Sequence, residues 1–196
     1  MQDTGIYHKR IRQLMDRIYR KRYFDTVGLQ ASYIYNQKAP IPYETALKAR
    51  FKPLAVNAQW GKAWGSAWFR FRGTVPPRFK GCKVVALIDI GAEGCVFSNG
   101  EPVLGLTNKW ANNLHSGKRI VPITEKAAGG EPVDLLVEGA ANELFGSASG
   151  KRYTLNTCDL ACVDRKAWQL EHDLRVLESL VNHPDDTSPR ISRIRR

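Results

Sequence analysis

No stretch of the sequence approaches the roughly 18 consecutive apolar residues that a membrane-spanning helix needs, so no span is expected. The first 12 residues are polar and then basic, with no apolar run behind them. A secretory leader is therefore not expected, and cytoplasmic residence is the expectation. Cysteine is scarce, at four in 196 residues. Cys82 and Cys95 lie in apolar, strand-like runs. Cys158 and Cys162 share one face of a strand but stand about 13 Å apart along it, too far for a disulfide. As a metal pair they lack a second Cys or His pair at ligand spacing. All four read as small buried apolar residues. Strands and helices do not alternate along the chain, which excludes a parallel α/β sheet.

Charge of one sign is in excess: the chain carries 30 Lys and Arg against 19 Asp and Glu, a net charge of +11. Its placement matters more than its size. Residues 1–52 hold 11 basic and 4 acidic side chains, and residues 189–196 hold four arginines and no acid. Residues 53–188 hold 15 of each and are neutral. A phosphate-binding surface belongs on the folded body, so nucleic acid is not an expected partner. An apolar fraction of 43% is enough for a real core.

The pattern of that apolar content changes along the chain. Tyr7, Ile11, Leu14, Met15, Ile18 and the aliphatic stem of Arg22 recur at steps of three and four, predicting an amphipathic helix within residues 1–28. Residues 36–60, punctuated by Pro40, Pro42 and Pro53, read as a long irregular segment with a helical turn near Tyr43–Arg50. From Trp68 the period becomes two, with Trp68, Arg70 and Arg72 alternating with Phe69, Phe71 and Gly73. Strands are expected at 83–90, 95–98, 102–106, 118–123, 133–138 and 153–163. The run 83–90 is apolar enough to be central, and Asn99-Gly100 marks a hairpin. A second helix is expected over 165–183, its apolar face formed by Ala167, Trp168, Leu170, Leu174, Leu177, Leu180 and Val181. Residues 184–196 show no pattern and are expected to be disordered. The fold class is thus mainly β, a jelly-roll or galactose-binding-like sandwich over 29–164 with a helix at each end.

One ordered set of motifs goes beyond composition. Tyr23-Phe24-Asp25 follows the basic helix, and Trp60-Gly61 precedes Trp64 and Trp68-Phe69-Arg70-Phe71. Then come Gly91-Ala92-Glu93-Gly94, Leu104-Gly105-Leu106-Thr107, Asn142-Glu143-Leu144-Phe145-Gly146 and Asp164-Arg165-Lys166-Ala167-Trp168. The sequence from about residue 6 to about 182 resembles the N-terminal region of family 38 α-mannosidases of the cytosolic and vacuolar branch. The resemblance implies a non-catalytic domain that braces, and walls one side of, a mannoside-hydrolysing domain. It also implies that zinc and a His-x-Asp motif belong to that catalytic domain, with no cofactor or metal held by this chain. His172-Asp173 has no spaced partner. The arginine-rich tail departs from the family's continuation, and a truncation before the catalytic domain is expected.

The carboxylate pairs Asp89 with Glu93 and Glu101 with Glu143 have no supporting ligand set, and no catalytic residue is assigned. Trp60, Trp64, Trp110 and Asn112 are the candidate carbohydrate contacts, because aromatic faces beside polar groups suit the C–H faces of sugars. Trp60 and Trp64, each followed by glycine, are placed in turns. With Trp68 they read first as the core of the sandwich or its interface to the catalytic domain, and the Trp110–Asn112 loop reads first as a solvated loop. Expected partners are the catalytic domain, a mannose-containing saccharide and a second copy docked through the N-terminal helix. A free-standing carbohydrate-binding module is the alternative function.

Overall fold

Alternating apolar and polar residues give a strand two faces, and the nine-residue run around Trp68 organises the protein on that basis. The structure is a computed structural model and describes residues 4–98, 100–107, 118–142 and 152–181. In chain order the elements are α1 (Thr4–Arg20), β1 (Tyr23–Gly28), β2 (Gln30–Asn36), α2 (Tyr43–Lys48), β3 (Lys52–Pro53), β4 (Gln59–Lys62) and β5 (Ser66–Thr74). They continue with β6 (Val84–Asp89), β7 (Glu93–Ser98), β8 (Glu101–Leu106), β9 (Ile120–Thr124), β10 (Pro132–Ala140), β11 (Arg152–Thr154), β12 (Thr157–Val163) and α3 (Arg165–Val181). The chain divides into two units, Thr26–Cys162 and a second formed by Met1–Asp25 with Val163–Arg196.

A six-stranded sheet of order β3-β2-β5-β10-β7-β8 carries one wall of the first unit. Its pairings are antiparallel: Tyr33 faces Phe69, Phe69 faces Val137, and Val137 faces Val96. This row, with Phe71 beside it, points inward and is buried or nearly so. A second sheet runs β1-β12-β6-β9. Its pairs Ile88–Cys158, Ala86–Leu160 and Val84–Cys162 supply the other half of the same core. Each fully buried side chain of Leu, Ile or Phe size contributes about 1.5–3 kcal/mol, so the two inner faces hold the sandwich together. A separate two-stranded sheet pairs β11 with β4 antiparallel. The β7–β8 hairpin forms at the expected place, with Ser98 opposite Glu101 and Gly100 at φ 87°. Asn99 lies outside the described residues.

The two cysteines of β12 sit on its core face, as their spacing requires, and all four cysteines are free thiols. Burial and the neighbouring Asp159 charge push the Cys158 thiol up to about 11. It is therefore un-ionised and unreactive at neutral pH.

Three parts differ from the sequence expectation. The helical segment gives way to strand at Tyr23, where an extended helical end was expected up to residue 28. Asp25 at φ 53° and the polar, mostly exposed pattern of this strand hide it from periodicity. The adjacent strand β2 was also missed, because its inward side is Ala31, Tyr33 and Tyr35 rather than aliphatic residues. The single strand expected over 153–163 is two strands, broken where Asn156 turns to donate to Asp89.

In the second unit, Arg12 pairs with Glu178 at 3.0 Å and Arg22 with Glu171 at 3.5 Å. Rising numbers on one side meet falling numbers on the other, so α1 and α3 run antiparallel. Asp164 caps α3, its carboxylate accepting from the backbone N–H of Lys166 and Ala167 at 3.0 and 2.9 Å. Of the expected stripe on α1, Met15 is buried while Ile11 and Leu14 stay exposed. On α3, Trp168, Leu170, Leu177 and Leu180 stay exposed as well. Residues 184–196 lie outside the described residues.

Candidate functional site

The outward side chains of the six-stranded sheet decide where a ligand has room. Trp68 points outward with Arg70 and Arg72, yet is only 1% exposed. The segment leading into α2 covers it: Tyr43 meets its ring edge-on at 5.7 Å, and the indole N–H donates to Ile41 O at 2.7 Å. Phe97 closes the other side at 5.0 Å. Further along the face Arg70 grips Asp134 with two bonds of 2.8 and 2.6 Å, and Arg72 adds a third at 3.2 Å. These bonds hold the Asp134 carboxyl below the usual carboxylate range.

Past this covered centre the face opens into a cavity of about 360 Å³, lined among others by Lys38, Trp64, Ser66, Glu93, Glu138 and Asn142. Its floor is the end of the β10–β7 ladder, where Glu138 lies opposite Cys95 and Ala140 opposite Glu93. Partial burial raises the Glu138 carboxyl above its ordinary value. The same burial, with the Glu138 charge beside it, raises the Cys95 thiol. Asn142 carries a buried side-chain oxygen with no hydrogen-bond partner among the described residues. Such an atom costs about 1–3 kcal/mol unless something meets it.

Trp64 forms the rim of the cavity. Its side chain is 63% exposed and its backbone sits at φ 67°, the left-handed region that favours glycine. Local bonds hold it there: Trp64 N–H donates to Ala141 O at 2.8 Å, and Ala141 N–H donates to Gly65 O at 2.8 Å. The loop is further tied to Tyr35, whose hydroxyl donates to Gln37, while Gln37 donates to Ala63 O at 3.0 Å. A Cβ at Gly65 would strike the Tyr35 ring and hydroxyl, so a larger residue there has to displace that side chain.

The other candidate residues fall elsewhere. Trp60 is corrected as a candidate carbohydrate contact: it lies in β4 rather than in an irregular segment, is 3% exposed, and its indole N–H donates to Ile90 O at 2.7 Å. Phe69 and Tyr153 cover it at 4.9 and 5.8 Å, so neither ring face is free for a sugar. Trp110 and Asn112 lie outside the described residues, as does Glu143. Asp89 accepts from Gly91 N–H at 2.9 Å, Arg119 at 2.6 Å and Asn156 at 3.2 Å, which pins the end of the second sheet. Glu93 lines the cavity, which Asp89 does not. Sequence reasoning missed Glu138, Asn142 and Lys38 as neighbours of Trp64. Glu138 carried a weak signal, an acidic side chain on the outward side of an apolar strand. Among the described residues no group of three or more His, Cys, Asp or Glu is placed to hold a metal ion.

The family described as alpha-mannosidase, jelly roll domain, matches residues 27–161. The chain belongs to this family. Among curated relatives, alpha-mannosidase 2C1 of Homo sapiens is 30% identical over 162 residues, covering 77% of this chain and 15% of the relative. Its Mus musculus counterpart is 30% identical over 148 residues, covering 70% and 14%. The jelly-roll chain thus spans about 15% of the length of these relatives. Among solved structures, a β-glucuronidase of Ruminococcus gnavus in complex with uronic deoxynojirimycin is 11% identical, with a TM-score of 0.47 over 72% of this chain and 29% of that one. A β-glucuronidase of Faecalibacterium prausnitzii is 13% identical, with a TM-score of 0.45 over 72% and 32%.

Proposed function

We propose that this chain serves as a non-catalytic accessory domain of an α-mannosidase, bracing the catalytic domain and walling one side of its mannoside cleft. The observation that carries the reading is the family match over residues 27–161, to a domain described as a jelly roll. In this reading hydrolysis, zinc and the two carboxylates of a retaining glycosidase belong to the catalytic portion, and the assembled enzyme resides in the cytoplasm. The exposed apolar residues of the helix pair, Ile11 and Leu14 on α1 with Leu177 and Leu180 on α3, support a bracing role. They suit a surface covered by a further domain of the same enzyme.

Two assays test this. The purified chain is incubated with 4-methylumbelliferyl α-D-mannopyranoside, with and without added zinc, and turnover at the buffer rate is expected. Hydrolysis by the chain itself would end the non-catalytic reading. The chain is then co-expressed with alpha-mannosidase 2C1 lacking its own jelly-roll domain. Recovery of soluble, active enzyme only in its presence is expected, and equal recovery without it removes the bracing role.

A further inference from the structure

We propose that the cavity beneath Trp64 is a binding site for one neutral pyranose ring, held between the Trp64 indole and the polar set Glu93, Glu138, Asn142, Ser66 and Lys38. The choice of mannose among pyranoses rests on the α-mannosidase reading; the choice of a neutral sugar rests on the cavity alone.

The cavity's composition discriminates among ligands. Two carboxylates, Glu93 and Glu138, repel an anion. A hard cation is no better, since it wants six or more oxygens and has no use for an indole. An apolar ligand strips water from both carboxylates, Ser66 and Lys38 and returns no hydrogen bond. A sugar answers each group. Its hydroxyls donate to the carboxylates, its oxygens accept from Lys38 and Ser66, and its C–H face lies on an aromatic ring. A volume of about 360 Å³ falls at the low end of small-ligand sites, fitting one ring rather than a chain of them.

Trp64 itself supplies the second argument. A turn that only needs a left-handed backbone is served by glycine, and Gly65 is next to it. A bulky residue at φ 67° stores about 1–3 kcal/mol, and here it keeps its side chain mostly in solvent. Folding gains little from such a ring, whereas a stacking platform needs it free on one face and fixed at its base. The bonds to Ala141, Gly65 and the Tyr35–Gln37 strut fix the base. The residues also come from distant parts of the sequence: Trp64, Glu93 and Asn142 each belong to a separate motif of the family resemblance, and the fold brings all three to one cavity.

The test titrates the full chain, labelled with ¹⁵N, with methyl α-D-mannopyranoside and separately with methyl β-D-galactopyranoside. Single-ring sites are weak, so saturation with a Kd of about 1 mM is expected for the mannoside, with shifts at the Trp64 indole and Asn142 amide signals. Trp64→Gly relieves the strained backbone, so it is expected to unfold no earlier than the parent while losing about tenfold or more in affinity. Asn142→Ala is expected to weaken binding with the fold intact by its spectrum. No saturable shift with either sugar overturns the proposal, and so does parental affinity in Trp64→Gly. Equal affinity for both sugars keeps the site and removes mannose. That separates a failure of the α-mannosidase reading from a failure of the cavity.

Discussion

Glu138 shows how one side chain serves both the sheet and the cavity. Its carboxyl is raised because partial burial penalises the charge. A carboxyl raised in the folded state binds its proton more tightly than in the unfolded chain. Stability therefore falls as pH rises through the window from its ordinary value near 4.5 to the raised value. Glu138→Gln is expected to flatten that decline in thermal melts taken at a series of pH values; an unchanged slope refutes the assignment. Asp134 acts in the opposite sense, because Arg70 and Arg72 stabilise its ionised form, and its contribution is lost as pH falls below the usual carboxylate range. The two residues lie on the same outward face, four apart along β10. The sign of each effect is set by the surroundings: two guanidiniums in one case, partial burial in the other.

Among the elements, the antiparallel pair α1 and α3 depends most on polar contacts. Its buried centre is ionic: Glu171 is 4% exposed and receives Arg22 and Arg175, and Arg22 lies 3.8 Å over the Tyr19 ring. Removing one member of such a group strands a buried charge at a cost of about 3–5 kcal/mol. Glu171→Ala is expected to speed amide exchange throughout α1 and α3 while leaving the exchange of the β5–β10 ladder unchanged. Replacing both Arg22 and Glu171 by Leu is expected to recover most of the loss, since an apolar pair needs no compensation. A Glu171→Ala protein with parental exchange on both helices would show that packing, and not the ion pair, holds them.

At the scale of the molecule, the two units are built on different physics. The sandwich closes a core with aromatic and aliphatic side chains from both sheets. The helix pair leaves Ile11, Leu14, Leu170, Leu177 and Leu180 exposed. In the isolated chain these residues are expected to drive weak self-association. Sedimentation should show an average mass rising with concentration, and Leu177→Glu with Leu180→Glu should abolish the rise. A constant monomer mass for the parent chain rules this out.

Periodicity and turn chemistry determined much of this protein by themselves. They placed the two-faced strand around Trp68, the buried strand ending at Asp89, the Gly100 hairpin and both terminal helices. These are local signals, written in the spacing of neighbouring residues. Strands whose inward side is tyrosine and alanine, as in β2, carry no such signal and became legible only through pairing with β5. The fates of the tryptophans were decided by tertiary structure alone. Trp60 and Trp64 are four residues apart and alike in sequence context, yet one is sealed by Phe69 and Tyr153 and the other stands 63% exposed. Burial depends on what the rest of the chain brings alongside. For the same reason no local pattern could have gathered Lys38, Glu93, Glu138 and Asn142 beneath Trp64.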